Sequence, residues 1–310
     1  MNAIAPVGNE ELRDWWRHHL GAQPDPQGHW HLTDHPGRPG LGVPGRFRAL
    51  SLRSYGSTLD CELFQPEGGA AGAVVIVPFY DTPSVFGFES ARTRRSGRLP
   101  RYPLGPALAR AGLSVLAVPW WFETDAADDD EAAAATSLAE RYGPPAARHA
   151  RALPMTALGR SIGDLMLAVH AVLREGLADP ERLGVFGHSL GGKLSLHLGA
   201  LEPQVNAVAC HEPGLGFAFS NWSDPWYLGA EIPEDRDQEQ IVGLVAPRPL
   251  LLVGGGDSDG EHNRHLIDGV AHLWDDVVVP QWLHHNGGHA IPAHVLAACT
   301  AWLHERLTRP

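Results

Sequence analysis

From residue 73 to the end of the chain, short apolar runs alternate with segments of helical periodicity. That alternation constrains the fold more than any other feature. Ala73-Val74-Val75-Ile76-Val77 is continuously apolar, as a strand covered on both faces must be, Leu113–Val118 reads again as a buried strand, and Arg182–Phe186, Val205–Cys210 and Arg248–Gly254 read as further strands. Leu104–Ala111, His262–Trp274 and Ile291–Leu307 read as helices. Leu158–Gly176 does so most clearly: Ile162, Leu165, Met166, Val169, Val172 and Leu173 recur at helical spacing, and Gly176 stops the run. Strands that alternate with helices require crossover connections. The expected fold class is α/β: a mostly parallel sheet of about eight strands, helices on both faces, and a lid-like insertion. Ligands of such sheets bind beyond the carboxyl ends of the strands.

Residues 1–46, rich in Pro, Gly and His, read as an N-terminal extension packed on a domain that spans 47–310, with one helical candidate at Glu10–Leu20. Phe47–Tyr55 and Thr58–Gln65 alternate apolar and polar residues and suit an antiparallel hairpin at a sheet edge. Two segments, about 123–154 and 213–246, interrupt the alternation. The first holds the acidic, Ala-rich run Asp125–Ala135 and is either a small helical insertion or a solvated loop. The second carries Phe217, Phe219, Trp222, Trp226 and Tyr227 after a strand end, a density that suggests a lid over a pocket or ordinary packing of an irregular segment.

Gly187-His188-Ser189-Leu190-Gly191 sits between the Val185 strand and a helix that begins at Gly191. In that context G-x-S-x-G is a nucleophile turn: the glycines make room for crossing backbone, and the serine hydroxyl stands above a helix N-terminus. A serine needs a base to take its proton. The last strand, Val277–Leu283, runs into His284-His285-Asn286-Gly287-Gly288-His289. His284 and His285 are fixed by the strand's pleat. The glycines let His289 swing over the sheet edge, so His289 is the expected base.

The base needs an acid, which in this fold class follows the preceding strand. Leu250–Val253 leads into Gly254-Gly255-Gly256-Asp257-Ser258-Asp259. Asp259 is preferred, because the glycines extend the strand end before the loop turns, and Asp257 is the alternative. Glu212, which ends the Val205–Cys210 strand, is a third candidate and reads first as a pocket-wall or lid-anchoring carboxylate. Oxyanion donors are expected from the backbone N–H of Leu190 and from Phe79 or Tyr80 in the loop after the Ala73–Val77 strand. His188, Trp120, Trp121, Trp222 and Trp226 are candidate pocket residues, with at most one of the adjacent Trp120 and Trp121 pointing inward from a strand. Lys193, four residues after the serine, reads as a structural residue of the helix face. Arg92, Arg94, Arg95, Arg98 and Arg101 read first as a solvated basic run, and alternatively as a site for an anionic substrate group.

Net charge is −12, which argues against nucleic acid and anionic membranes as partners. No stretch of 18 apolar residues occurs, so no membrane span is expected. Met1–Glu10 lacks the basic and apolar regions of a secretory signal, and Cys61, Cys210 and Cys299 read as free thiols. A reducing, cytoplasmic location is therefore expected. The 18 histidines show no H-E-x-x-H or Cys/His ligand spacing, so neither metal nor cofactor is expected. Oligomeric state is not readable.

Gly187–Lys193, the Gly256–Asp259 loop and His289 make the chain resemble an α/β-hydrolase over about residues 47–307. His211-Glu212-Pro213-Gly214, Asn221–Gly229 and Ala246-Pro247-Arg248-Pro249 make it similar, within that superfamily, to bacterial dienelactone-hydrolase-like and acetyl-xylan-esterase-like proteins. The nucleophile is Ser where dienelactone hydrolases proper have Cys, so their substrate is not implied. The resemblance implies a serine hydrolase that cleaves a small carboxylic ester or lactone through an acyl-enzyme. The alternatives are an acyltransferase or lactonising cyclase on the same triad, or a non-catalytic ligand-binding protein of the same fold.

Overall fold

The structure is a computed structural model that describes residues 9–35, 38–97, 100–127, 132, 135, 137–274 and 280–309. Parts of the 125–135 acidic run, Arg98, and the start of the last strand expected at Val277 lie outside the described residues.

The strands are β1 (His29–Asp34), β2 (Gly45–Ser54), β3 (Ser57–Pro66), β4 (Val74–Phe79), β5 (Ser114–Pro119), β6 (Leu183–His188), β7 (Ala207–His211), β8 (Leu250–Gly254) and β9 (Gln281–His284). They form one sheet in the order β1-β2-β3-β5-β4-β6-β7-β8-β9. The block from β5 to β9 is parallel, while β1, β2 and β3 pair antiparallel at one side. The sheet is therefore mixed.

The apolar runs become strands because both faces are covered. Every residue of β7 and β8 is buried. One face packs against the helices Asn9–Leu20, Ala157–Arg174 and Leu190–Leu201, and the other against Leu104–Arg110 and Ala293–Thr308. The hairpin of β2 and β3 turns through Tyr55 (φ 47°) and Gly56 (φ 85°). Two consecutive positive φ values match the right-handed twist of the flanking strands.

Three expectations need correction. β1 belongs to the sheet, and the boundary expected at 46 falls inside β2. His29–Asp34 lies at the sheet edge with only Trp30 and Leu32 half-buried against the core, an alternation too short to stand out as a strand. The helix expected over His262–Trp274 shrinks to His265–Asp268 and a single turn at Ala271–Leu273. Its start is drawn into a loop contact instead: Asn263 Nδ2 donates to Asp259 Oδ1 at 2.9 Å and to Leu215 O at 3.1 Å.

The lid is the third. Trp222 is fully buried, Trp226 and Tyr227 nearly so, and all three belong to the core cluster. The Trp222 indole donates to Gly214 O at 2.8 Å, and the Lys193 ammonium lies 3.8 Å from the Trp222 ring centre. The segment after β7 is thus sewn onto the helix Leu190–Leu201 rather than suspended over a pocket.

The insertion at 123–154 is helical where it is described, with helices Trp121–Ala127 and Leu138–Ala152. Buried Glu123 joins them. It accepts from Arg141 Nε at 2.8 Å, Arg141 Nη2 at 2.7 Å and the Tyr142 hydroxyl at 2.7 Å. Burial alone would raise the Glu123 pKa, but these bonds hold it below the ordinary glutamate value.

Candidate active site

β6 ends at His188 and the helix Leu190–Leu201 begins two residues later, so Ser189 alone makes the turn. It does so at φ 56° and ψ −117°, a region that a non-glycine residue occupies only under constraint. The flanking glycines are sterically required. A Cβ on Gly187 would lie 2.0 Å from Gly191 O, and one on Gly191 would lie 2.3 Å from Pro78 O. The second clash also shows how closely the end of β4 packs against this turn.

His289 Nε2 and Ser189 Oγ are 2.8 Å apart. The loop after β9 carries His289 across the sheet edge as its glycines suggest. At the other ring nitrogen, His289 Nδ1 lies 3.4 Å from Glu212 Oε2 and 3.3 Å from Asp257 Oδ2. The structure does not bring Asp259 there. Buried Asp259 spends its carboxylate on the N–H groups of Gly214 and Leu215 and on Asn263. It anchors the loop after β7.

The two carboxylates near His289 differ in setting. The Glu212 side chain is 0% exposed and that of Asp257 is 61% exposed. Glu212 stands at φ 50°, a second strained non-glycine residue at this sheet edge. It accepts from the N–H groups of Gly255, Ser258 and Asp259. Burial would raise its pKa. The bond to His289 and the N–H groups of Gly255 and Ser258 outweigh that and hold it at about 2. Glu212 is thus a fixed, ionised partner for the imidazole, whereas the charge of Asp257 is screened by solvent.

Leu190 is the first residue of its helix, so its N–H has no intrahelical acceptor. Phe79 closes β4, paired in register with Pro119. Tyr80 follows, and Arg92 covers its ring at 4.0 Å.

A cavity of about 400 Å³ opens beside the Ser189–His289 pair, with Phe79, His188, His289, Arg92, Tyr102 and Ile291 in its wall. Among the expected pocket residues, His188 lines it. Trp120 and Trp121 do not, because both indoles turn inward and donate to Ser161 Oγ, at 3.0 and 3.1 Å. Trp222 and Trp226 are core residues and do not line it either.

The acetyl xylan esterase family model, AXE1, matches residues 160–221 of this chain. That stretch includes β6, the Ser189 turn, β7 and Glu212. A 4-O-methyl-glucuronoyl methylesterase 1 of Sodiomyces alcalophilus is 26% identical over 186 residues, which is 50% of this chain and 37% of that protein. The chain thus matches little more than a third of that relative's length. A glucuronoyl esterase from Solibacter usitatus superposes with a TM-score of 0.69 at 14% identity, over 96% of this chain and 91% of that one.

The chain has the α/β-hydrolase fold. A second solved relative agrees in fold: the carbohydrate esterase family 15 glucuronoyl esterase from Caldicellulosiruptor kristjansonii superposes with a TM-score of 0.61 at 16% identity, over 96% of this chain and 84% of that one.

Within this fold, Lys193 is buried as a helix-face residue, and its amine donates to Ser220 Oγ at 2.8 Å. Of the arginine run, Arg92 and Arg101 reach the cavity, while Arg95 pairs with Glu123 at 3.1 Å. Glu212, Asp257 and His289 each place a ligand atom within 4.8 Å of the others, a grouping that could hold a metal ion through the imidazole nitrogen that faces the carboxylates. Cys61, Cys210 and Cys299 are free and buried. Among the described residues no single helix is long and apolar enough to cross a membrane.

Proposed function

We propose that this protein is a serine carboxylic ester hydrolase acting on a small ester of a sugar or sugar acid. The observation that carries the reading is the 2.8 Å contact between Ser189 Oγ and His289 Nε2, with ionised, buried Glu212 behind the imidazole.

Ser189 Oγ attacks the ester carbonyl as His289 Nε2 takes its proton. Nδ1–H faces Glu212, which fixes the tautomer and stabilises the imidazolium that forms. The carbonyl oxygen becomes an oxyanion, met by the N–H of Leu190 at the positive end of its helix and by the N–H of Tyr80 beyond β4. His289 returns the proton to the leaving alcohol. A water, deprotonated by the same imidazole, then cleaves the acyl-enzyme. Asp257 assists from the solvent side. The cytoplasmic location belongs to this proposal and rests on three cysteines that stay unpaired.

What supports the substrate class is the likeness to enzymes named for sugar-ester cleavage. The test is a hydrolysis panel of methyl D-glucuronate, acetylated xylose and p-nitrophenyl acetate, with Ser189→Ala as control. Turnover of a sugar ester that Ser189→Ala abolishes supports the reading. Equal turnover by the variant rejects it.

A further inference from the structure

Three histidines from distant parts of the chain stand in a row at this sheet edge. His188 ends β6 and is the register partner of His211, which ends β7. Their Nδ1 atoms are 2.8 Å apart. On its other side, His211 Nε2 lies 2.9 Å from Nε2 of His285, the residue after β9. His285 reaches across β8 because no side chain is in the way. A Cβ on Gly255 would lie 2.8 Å from His285 Cε1.

A neutral imidazole has one donor and one acceptor nitrogen, so a contact between two such nitrogens needs one proton and no more. The row's polarity is set at its far end. Gly287 N–H donates to His285 Nδ1 at 3.0 Å, so Nδ1 is an acceptor and the proton of His285 is on Nε2. His211 Nε2 must then accept, and its proton is on Nδ1. His188 Nδ1 accepts that proton in turn, which leaves the proton of His188 on Nε2. The opposite arrangement would place a second hydrogen between Gly287 N and His285 Nδ1. His211 is fully buried and each of its ring nitrogens already faces another imidazole nitrogen, so the row has no place for an additional proton.

From this geometry we infer that the His285–His211–His188 row locks His188 as a permanent hydrogen-bond donor, through Nε2–H, to an acceptor oxygen of the substrate in the cavity beside Ser189. His188 lines that cavity, and with Nδ1 taken by His211, Nε2 is the polar atom it has to offer. The other ionisable side chains of the described wall besides His289 fit an acceptor-rich ligand: Arg92 and Arg101 are donors only, Tyr102 carries a hydroxyl, and no carboxylate is present. The row is not a proton conduit to the surface, because Gly287 N–H closes its outer end. His211 and His285 are positioning residues that act through His188.

The substrate part of this inference rests on the proposed ester hydrolysis, whereas the tautomers do not. The experiment therefore has two readouts. The first is nitrogen NMR of protein labelled with ¹⁵N in its histidines, at pH 7, with assignment by single substitution. Protonated Nε2 on His188 and His285 and protonated Nδ1 on His211 are expected. His285→Phe, which removes the row's outer end without entering the cavity, should leave His188 as a mixture of tautomers. A His188 that carries its proton on Nδ1, or a cationic His188, overturns the inference whatever the enzyme hydrolyses. The second readout is kinetic. His188→Phe should lower kcat/KM for methyl D-glucuronate by about 10-fold more than for p-nitrophenyl acetate, which lacks the sugar oxygens; that difference is the worth of one hydrogen bond to substrate. Equal losses on both esters would mean that His188 only holds the turn in shape and would overturn the donor role. A fluorophosphonate label on Ser189 in His188→Phe shows separately that the hydrolase machinery is intact.

Discussion

Glu212 Oε2 lies 3.4 Å from His289 Nδ1, and Glu212 is carried by the strand next to the one that delivers Ser189. The proposed acid and nucleophile thus sit on neighbouring strand ends, and only the proposed base comes from the far side of β8. The loop after β8 still contributes: its N–H groups at Gly255 and Ser258 clamp the Glu212 carboxylate, and Asp257 meets the imidazole from the solvent.

The three acids should separate cleanly by kinetics. Glu212→Gln keeps the shape and removes the charge that fixes the His289 tautomer, so kcat should fall by about 10³-fold or more. Asp257→Asn loses a screened, exposed charge and should cost less than about 5-fold. Asp259→Asn should lower Tm more than kcat, because its carboxylate holds Gly214 and Leu215. Steady-state kinetics and thermal melts on the three variants check this.

Glu212 also makes stability pH-dependent. Its folded pKa, about 2, lies below the ordinary value of 4.5, so its contribution is complete above about pH 5 and is lost as pH falls from there toward 2. The Tm gap between the parent protein and Glu212→Gln should be largest near pH 6 and close progressively below pH 5. A gap that widens on acidification would contradict this assignment.

Much of the fold was legible because β4 to β8 are buried on both faces and therefore read as unbroken apolar runs. β1 was not, since only Trp30 and Leu32 of His29–Asp34 are apolar, and its strand geometry comes from the long-range partner β2. The meeting of Ser189 and His289 could be read from a tight turn and a glycine loop. Which carboxylates meet the imidazole could not, because loop length does not report side-chain direction: Asp259 turns back to the loop after β7 and leaves Glu212 and Asp257 at the imidazole. Nor does aromatic density in a loop say which way the rings face, and Trp222 and Trp226 face the core. The row of His188, His211 and His285 depends on strand register, which nothing in their spacing along the chain discloses.

The buried cluster of the first insertion should be structural. Removing the charge of Glu123 leaves Arg141 buried without its partner. Glu123→Gln should therefore destabilise the protein by about 3 kcal/mol, read from the urea midpoint. Because the cluster does not line the cavity beside His289, KM should change little.

Packing and pocket can be told apart by substitution. Trp222→Ala should cost about 3 kcal/mol or more of stability, as for a large core side chain. Ile291→Trp, at the cavity wall, should raise KM for sugar esters with a smaller loss of stability.

Metal enters the account only as a competitor. An ion on Glu212, Asp257 and His289 would occupy the nitrogen that faces the acid. EDTA should leave kcat unchanged, and millimolar Zn²⁺ should inhibit. Activity that needs a restored metal would contradict the assigned roles.

The most direct test is mass spectrometry of the protein after reaction with a fluorophosphonate. The account predicts one covalent adduct, mapped to Ser189, absent from Ser189→Ala and strongly slowed in His289→Ala. A folded parent protein that takes no label, or a label on another residue, would contradict it.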